Sequence, residues 1–168
     1  MKLEEYSVKP FNCFRNDWAL ITAGTKDEFN SMTIGWGGMG TMWSVPAVFL
    51  FVKPSRYTSE IIKKHDEITV SFYPEEGRKA LSVMGTISGR DHDKVKESGL
   101  TPVFLENGVT YKEATTTIVA RKIYMKQMDK SLFPEFALAK YVGENETEAH
   151  YFIVAQVSEV LETEKENG

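Results

Sequence analysis

Lys53-Pro54-Ser55-Arg56-Tyr57-Thr58 collects in one short segment the groups that bind a phosphate. Arg56 presents a planar fork of donors, Lys53 adds a second cation, and Ser55, Tyr57 and Thr58 supply hydroxyls. The segment leads into a predicted helix, whose first N–H groups lack partners and carry the positive end of the dipole. A solvated turn with an ordinary helix cap uses the same residue types. Upstream, Asn30-Ser31-Met32-Thr33-Ile34-Gly35-Trp36-Gly37 mixes small residues with thioether, aliphatic and indole side chains. Backbone N–H groups of a bulged strand can donate to a flat heteroaromatic ring while small side chains keep clear of it. A core strand whose Met and Trp simply pack reads the same way. Ser88-Gly89-Arg90-Asp91-His92-Asp93-Lys94 is a third constellation. Arg90 and Lys94 could reach a phosphate, a ring carbonyl or a nicotinamide phosphate, with Asp91 and Asp93 orienting them; an exposed charge-mixed loop is the plainer alternative. A phosphate at one end and a flat ring at the other would both be satisfied by a phosphorylated, ring-bearing cofactor such as FMN.

Other chemistries find no support. The chain has no HExxH, no paired-cysteine motif and no GxSxG elbow. Asp91-His92-Asp93 contains possible metal ligands, but adjacent residues rarely converge on one ion. Gly35-Trp36-Gly37-Gly38-Met39-Gly40 lacks the GxGxxG spacing and opens no helix, so it is not a dinucleotide fingerprint. His65 and His150 are isolated. Cys13 is the one cysteine; it reads as a small packed side chain, and the absence of an intrachain pair fits a reducing cytoplasm.

Strand signals dominate the elements that must position these segments. Trp18–Ala23 is apolar on both faces, as in a strand covered on both sides. Met32–Trp36 pairs with it across a polar loop, and Gly35, Gly37, Gly38 and Gly40 then interrupt the run. Such glycines mark a bulge or close backbone approach, or equally a barrel corner without a ligand. Val45–Val52 is a central strand ended by Pro54. Thr58 or Ser59 is expected to cap a helix from Glu60 to Lys64 or His65, with Ile61 and Ile62 on its buried face. Glu67–Tyr73 alternates Ile68, Val70 and Phe72 with Thr69 and Ser71, a strand with one apolar face. Arg78–Met84 reads as a helix ending near Gly85. Asp93 is expected to cap a short helix that Gly99 stops. Val103–Leu105, Val109–Lys112, Thr115–Met128 with one bend, and Tyr151–Val160 complete the strands. Asn107-Gly108 signals a hairpin, and Pro134–Tyr141 a short helix. Many strands with few short helices predict a closed or partly closed antiparallel barrel.

Bulk properties narrow the field. The 168 residues suit one domain, with 42% apolar and 26% charged residues and a net charge of −4. That balance argues against nucleic acid, whose binding rests on clustered Lys and Arg. The charged N-terminus does not resemble a signal peptide, and the Val45–Val52 run is too short to cross a membrane.

In order and spacing, the Asn30–Gly37, Lys53–Thr58 and Ser88–Lys94 stretches together resemble the flavin reductase-like, FMN-binding split-barrel family, close to its flavoredoxin branch. The resemblance runs from about Asn12 to Met128. It implies a mainly β fold: a six-stranded antiparallel Greek-key split barrel with a few short helices. One such domain would span residues 1–168, with 162–168 as a frayed tail. It also implies non-covalent FMN in a homodimer, with the flavin near the subunit interface. Carried onto this chain, Ser31, Met32 and Thr33 would lie along the isoalloxazine, flanked by Asn30 and by Ile34, Gly35 and Trp36. Ser55, Arg56 and Thr58, with Lys53 and Tyr57, would hold the phosphate. Ser88, Gly89, Arg90, Asp91 and Lys94 would close over the site, Lys94 touching the flavin. Residues 133–150 would shape the substrate pocket or the dimer.

The implied activity is an oxidoreductase in which NAD(P)H reduces bound FMN, and electrons leave to flavin or another small-molecule acceptor. Hydride transfer needs no acid–base side chain, so no catalytic residue is assigned beyond the cofactor. The alternative is a flavoredoxin-type electron carrier reduced by a partner redox protein. A weaker third reading is a relative that binds another phosphorylated ring, of the haem or F420 type.

Overall fold

The computed structural model describes residues 1–142 and 149–163. The expected frayed tail lies, from residue 164 onward, outside the described residues, as do residues 143–148 of the 133–150 segment. The strands are β1 (Ala19–Gly24), β2 (Phe29–Ile34), β3 (Gly37–Met42), β4 (Val45–Val52), β5 (Glu67–Phe72), β6 (Pro102–Leu105), β7 (Gly108–Tyr111), β8 (Thr116–Gln127) and β9 (Tyr151–Glu162). The helices are α1 (Tyr57–Lys64), α2 (Arg78–Thr86), α3 (Lys94–Ser98) and α4 (Glu135–Ala137). A π-helical turn, Leu138–Val142, continues α4 through the expected 134–141 helix.

Seven strands form one sheet in the order β2-β1-β5-β8-β9-β4-β3, and β6 and β7 form a separate ribbon. Every pairing is antiparallel. The two edge strands, β2 and β3, are neighbours in the chain, joined only by Gly35 and Trp36. Laid flat, a sheet of this many strands would hold its edges about 28 Å apart. A two-residue link reaches only about 10 Å. The sheet therefore rolls until its edges meet, and among the described residues no ladder joins β2 to β3. The result is a barrel split along one seam, mainly β with a few short helices.

The barrel holds one strand more than the expected six. Gly37–Met42, expected as an interruption, pairs along its whole length with β4. Its glycines weaken strand propensity, but a register of six residue pairs against a central strand overrides it. β8 carries two register shifts against β9, at Val119/Ala120 and Lys122/Tyr124, where a single bend was expected.

The interior is apolar. Ile21, Leu50, Val52, Ile61, Ile68, Val70 and Ile153 are fully buried within one cluster. A second cluster, with Leu20, Leu81, Met84 and Tyr111, lies outside the barrel. β5 departs from its one-sided pattern, since Thr69 and Ser71 are buried too. The β6–β7 ribbon covers them and satisfies their hydroxyls. Thr69 Oγ1 donates to the Val109 carbonyl at 2.5 Å, and Ser71, Thr110 and Thr117 share hydroxyl contacts of 2.6–3.0 Å. Among the described residues no helix is long and apolar enough to cross a membrane.

Candidate functional site

Strand alternation sorts the β2 segment first. Asn30 and Met32 point to one face and line a cleft of about 350 Å³. Ser31 and Thr33 point to the other. The Ser31 hydroxyl contacts Thr22 Oγ1 at 2.8 Å and the Tyr111 hydroxyl at 2.7 Å. Thr33 Oγ1 donates to the Leu81 carbonyl at 2.5 Å. Ile34 is in the barrel core. Gly35 and Trp36 form the β2–β3 link outside the cleft, and Trp36 packs on His150 with ring centroids 5.0 Å apart.

The second wall comes from the end of β4 and the start of α1. Lys53, Ser55, Arg56, Tyr57 and Thr58 all line the same cleft. The expected cap is different. α1 begins at Tyr57, its N-cap position is Arg56, and no side chain caps it. Thr58 and Ser59 are buried inside the first turn with their hydroxyls engaged elsewhere. Thr58 Oγ1 accepts from Asn30 Nδ2 at 2.7 Å, and Ser59 Oγ donates to the Pro54 carbonyl at 2.8 Å. The start of α1 is left without a side-chain acceptor and faces the cleft through Tyr57 and Thr58. Such an end favours an anion.

The third wall is the segment after α2. α2 runs through Gly85 to Thr86 rather than ending at the glycine. Gly85 is there for close approach: a Cβ would sit 3.3 Å from Thr33 Cβ, so the glycine lets α2 lie against β2. The Gly85 carbonyl accepts from Arg56 Nη1 at 3.2 Å. Ile87, Ser88, Gly89, Arg90 and Lys94 then line the cleft. Gly89 has no room for a side chain, because a Cβ would collide with Asn30 Oδ1 and crowd the Tyr57 ring. Arg90 clamps the loop to the α1 wall, donating to the Ser55 carbonyl at 3.1 Å and to Glu60, with its guanidinium 5.4 Å from the Tyr57 ring centroid. Asp91 is exposed and lies outside the cleft. Asp93 caps α3 as expected, accepting from the Lys96 N–H at 3.1 Å, and Gly99 closes it at φ 73°.

Lys94 is the electrostatic centre. It is only 7% exposed, and its ammonium donates to the Ser31 carbonyl at 2.6 Å. Among the described residues no carboxylate forms an ion pair with it. Burial, followed by the like charge of Arg56, lowers its pKa to about 8. A buried cation next to a second cation, with no carboxylate, is stabilised by an anion in the cleft. The donors present — guanidinium, ammonium, hydroxyls and an uncapped helix start — suit a phosphate, and Met32 and Ile87 supply apolar wall.

Sequence reasoning missed Ile87 and Tyr111. Ile87 directly precedes the singled-out loop and could have been included on adjacency. Tyr111 is 80 residues from Ser31 and meets it only because the ribbon folds over the sheet; nothing local signals that contact.

The flavin reductase-like domain family matches residues 11–126, the greater part of the chain. Three solved structures illustrate the likeness. Flavoredoxin from Methanosarcina acetivorans is 21% identical, with 96% of this chain and 73% of that chain covered, at a TM-score of 0.68. Flavoredoxin of Desulfovibrio vulgaris (Miyazaki F) is 18% identical, with 100% and 81% covered, at 0.68. The FMN-binding protein from Thermus thermophilus, with bound p-hydroxybenzaldehyde, is 17% identical, with 95% and 81% covered, at 0.69. At these identities the likeness is one of fold. No curated protein matches.

Proposed function

Because the chain belongs to the flavin reductase-like domain family, we propose that it is an FMN-binding oxidoreductase passing electrons from NAD(P)H to flavin or another small acceptor. The observation that carries this reading is the buried, carboxylate-free Lys94 facing a cleft shared with Arg56, Ser55 and the uncapped start of α1. Bound FMN supplies the hydride and electron chemistry, and the protein supplies binding, orientation and electrostatics. Ser55, Arg56 and Thr58 hold the phosphate, with Lys53 and Tyr57 beside them. The Asn30 and Met32 face of β2 borders the ring. Ser88 to Lys94 closes the site, with Arg90 as its clamp and Asp91 at its outer edge.

A small carbonyl compound is a reasonable acceptor class, since structures of the Thermus protein hold 1-cyclohex-2-enone and p-hydroxybenzaldehyde. A homodimer in the cytoplasm is part of the same reading. The dimer part of it is motivated by an aromatic strip, Phe49, Phe51, Phe152 and Tyr124, in ring contact on the sheet.

The second reading, an electron carrier reduced by a partner redox protein, is favoured by the flavoredoxins among the structural neighbours. Steady-state oxidation of NADH and NADPH by the FMN-loaded protein separates the two. Rapid turnover with free flavin as acceptor supports the enzyme. Reduction by a redox protein alone, without NAD(P)H turnover, supports the carrier.

A further inference from the structure

Two cavities meet at Lys94. One is the cleft already described. The other, about 270 Å³, lies behind the Asn30–Gly89 contact and is lined by Phe29, Ser31, Tyr57, His92, Asp93 and Tyr111. The Lys94 side chain is shared by both, 93% buried, and anchored by one hydrogen bond to a backbone carbonyl. An ammonium has three donors, so two remain for other partners.

The charges around it are unbalanced. Towards the cleft stand Arg56 and Arg90. Arg90 is neutralised by Glu60. On the far side, Asp93 is held as the cap of α3. His92 is tied by Nδ1 to Glu97 at 2.8 Å. The Tyr111 hydroxyl is in contact with Ser31, and burial pushes its pKa up to about 12, so it stays neutral through pH 9.5. Tyr57 lines both cavities. Arg56 therefore acts on Lys94 as a like charge.

We propose that Lys94 couples occupation of the cleft to a proton: a phosphate dianion entering beside Arg56 draws a proton onto Lys94, and the charged lysine then becomes part of the anion's counter-charge. Screening of Arg56 by the anion removes the like-charge repulsion, and the anion itself favours the ammonium. Loss of that proton at high pH then weakens binding, because linkage is reciprocal. Burial and the neighbouring Arg56 lower the Lys94 pKa to about 8, so the coupling falls in an accessible range. A ring without phosphate would instead bury Lys94 further and give no uptake.

The inference rests on the FMN reading and is tested separately from it. FMN and riboflavin are titrated into apoprotein by flavin fluorescence between pH 7 and 9.5, where the phosphate remains a dianion. Proton uptake is measured by calorimetry in buffers of different ionisation enthalpy. Wild type is expected to take up a fraction of a proton with FMN at pH 8.5 and none with riboflavin. Its FMN Kd is expected to rise above pH 8 by up to about tenfold per pH unit, the limit for one proton. Lys94→Arg is expected to bind FMN without that pH slope, and Lys94→Met to bind weakly at every pH. Circular dichroism confirms that each variant is folded. FMN binding with no proton uptake, or a slope unchanged in folded Lys94→Arg, would overturn the coupling while leaving the cofactor reading intact. No FMN binding by wild type would overturn both.

Discussion

At the residue scale, Arg56 and Lys94 are the groups to test. Arg56→Ala is expected to weaken FMN binding by about 1–3 kcal/mol, through loss of a charge-assisted hydrogen bond; fluorescence titration of the folded variant reads this directly. Unchanged affinity would remove the phosphate role. Lys94 also gives stability a pH dependence. Its folded pKa, about 8, lies below the ordinary lysine value of about 10.4. Between those values the unfolded chain holds a proton that the folded chain has lost, so stability rises with pH across that window. Below pH 8 the buried charge is present and its cost is felt in full. Urea unfolding at pH 7.5 and pH 10 is expected to show wild type gaining on Lys94→Met by on the order of 2–3 kcal/mol. No relative gain would mean that the ammonium is better compensated than its neighbours indicate. Residue types and spacing singled out Lys53, Ser55, Arg56, Tyr57 and Thr58 and also Ser88, Gly89, Arg90 and Lys94, which do share one cleft, whereas Asp91, His92 and Asp93 of the same loop lie outside it. The destinations of the Thr58, Ser59 and Ser31 hydroxyls were not legible. Each depends on a partner chosen by the fold, such as Asn30 or Tyr111.

At the element scale, the β3–β4 hairpin is the exposed weak point. Met42 pairs with Val45, so its loop is Trp43-Ser44, and both residues have positive φ, 50° and 62°. A two-residue loop of this kind favours Asn-Gly. Trp43 and Ser44 occupy it against their intrinsic preference, with Trp43 70% exposed. Trp43→Asn with Ser44→Gly is expected to stabilise the fold by about 1 kcal/mol, measured as a raised denaturation midpoint. A lower midpoint would show that the indole packs against something that offsets the strain. The strand pattern was readable here from Val45 to Val52, whereas β3 was not. Its glycines hide a period-two signal, and only pairing with β4 makes it a strand. β5 misled for a related reason: its alternation was real, but the ribbon buries the polar face as well.

At the scale of the whole molecule, the rolled sheet brings three separate stretches of chain to one cleft. Its core is where stability is concentrated. Ile153, fully buried in β9, is expected to cost about 2–5 kcal/mol when cut to alanine, seen in equilibrium unfolding; a loss under 1 kcal/mol would mean that the barrel collapses around the gap. The antiparallel β class and a closed or partly closed barrel could be read from the number and spacing of short strands. The place of the seam could not, since it follows from which strands become edges. The central claim, that this cleft holds FMN, is tested most directly by the visible absorption spectrum of the purified protein, taken as isolated and after addition of FMN. Acid release and chromatography then identify any chromophore. Flavin bands with FMN in the supernatant are the predicted result. A colourless protein that takes up no added FMN would contradict the account and withdraw the site assignments together.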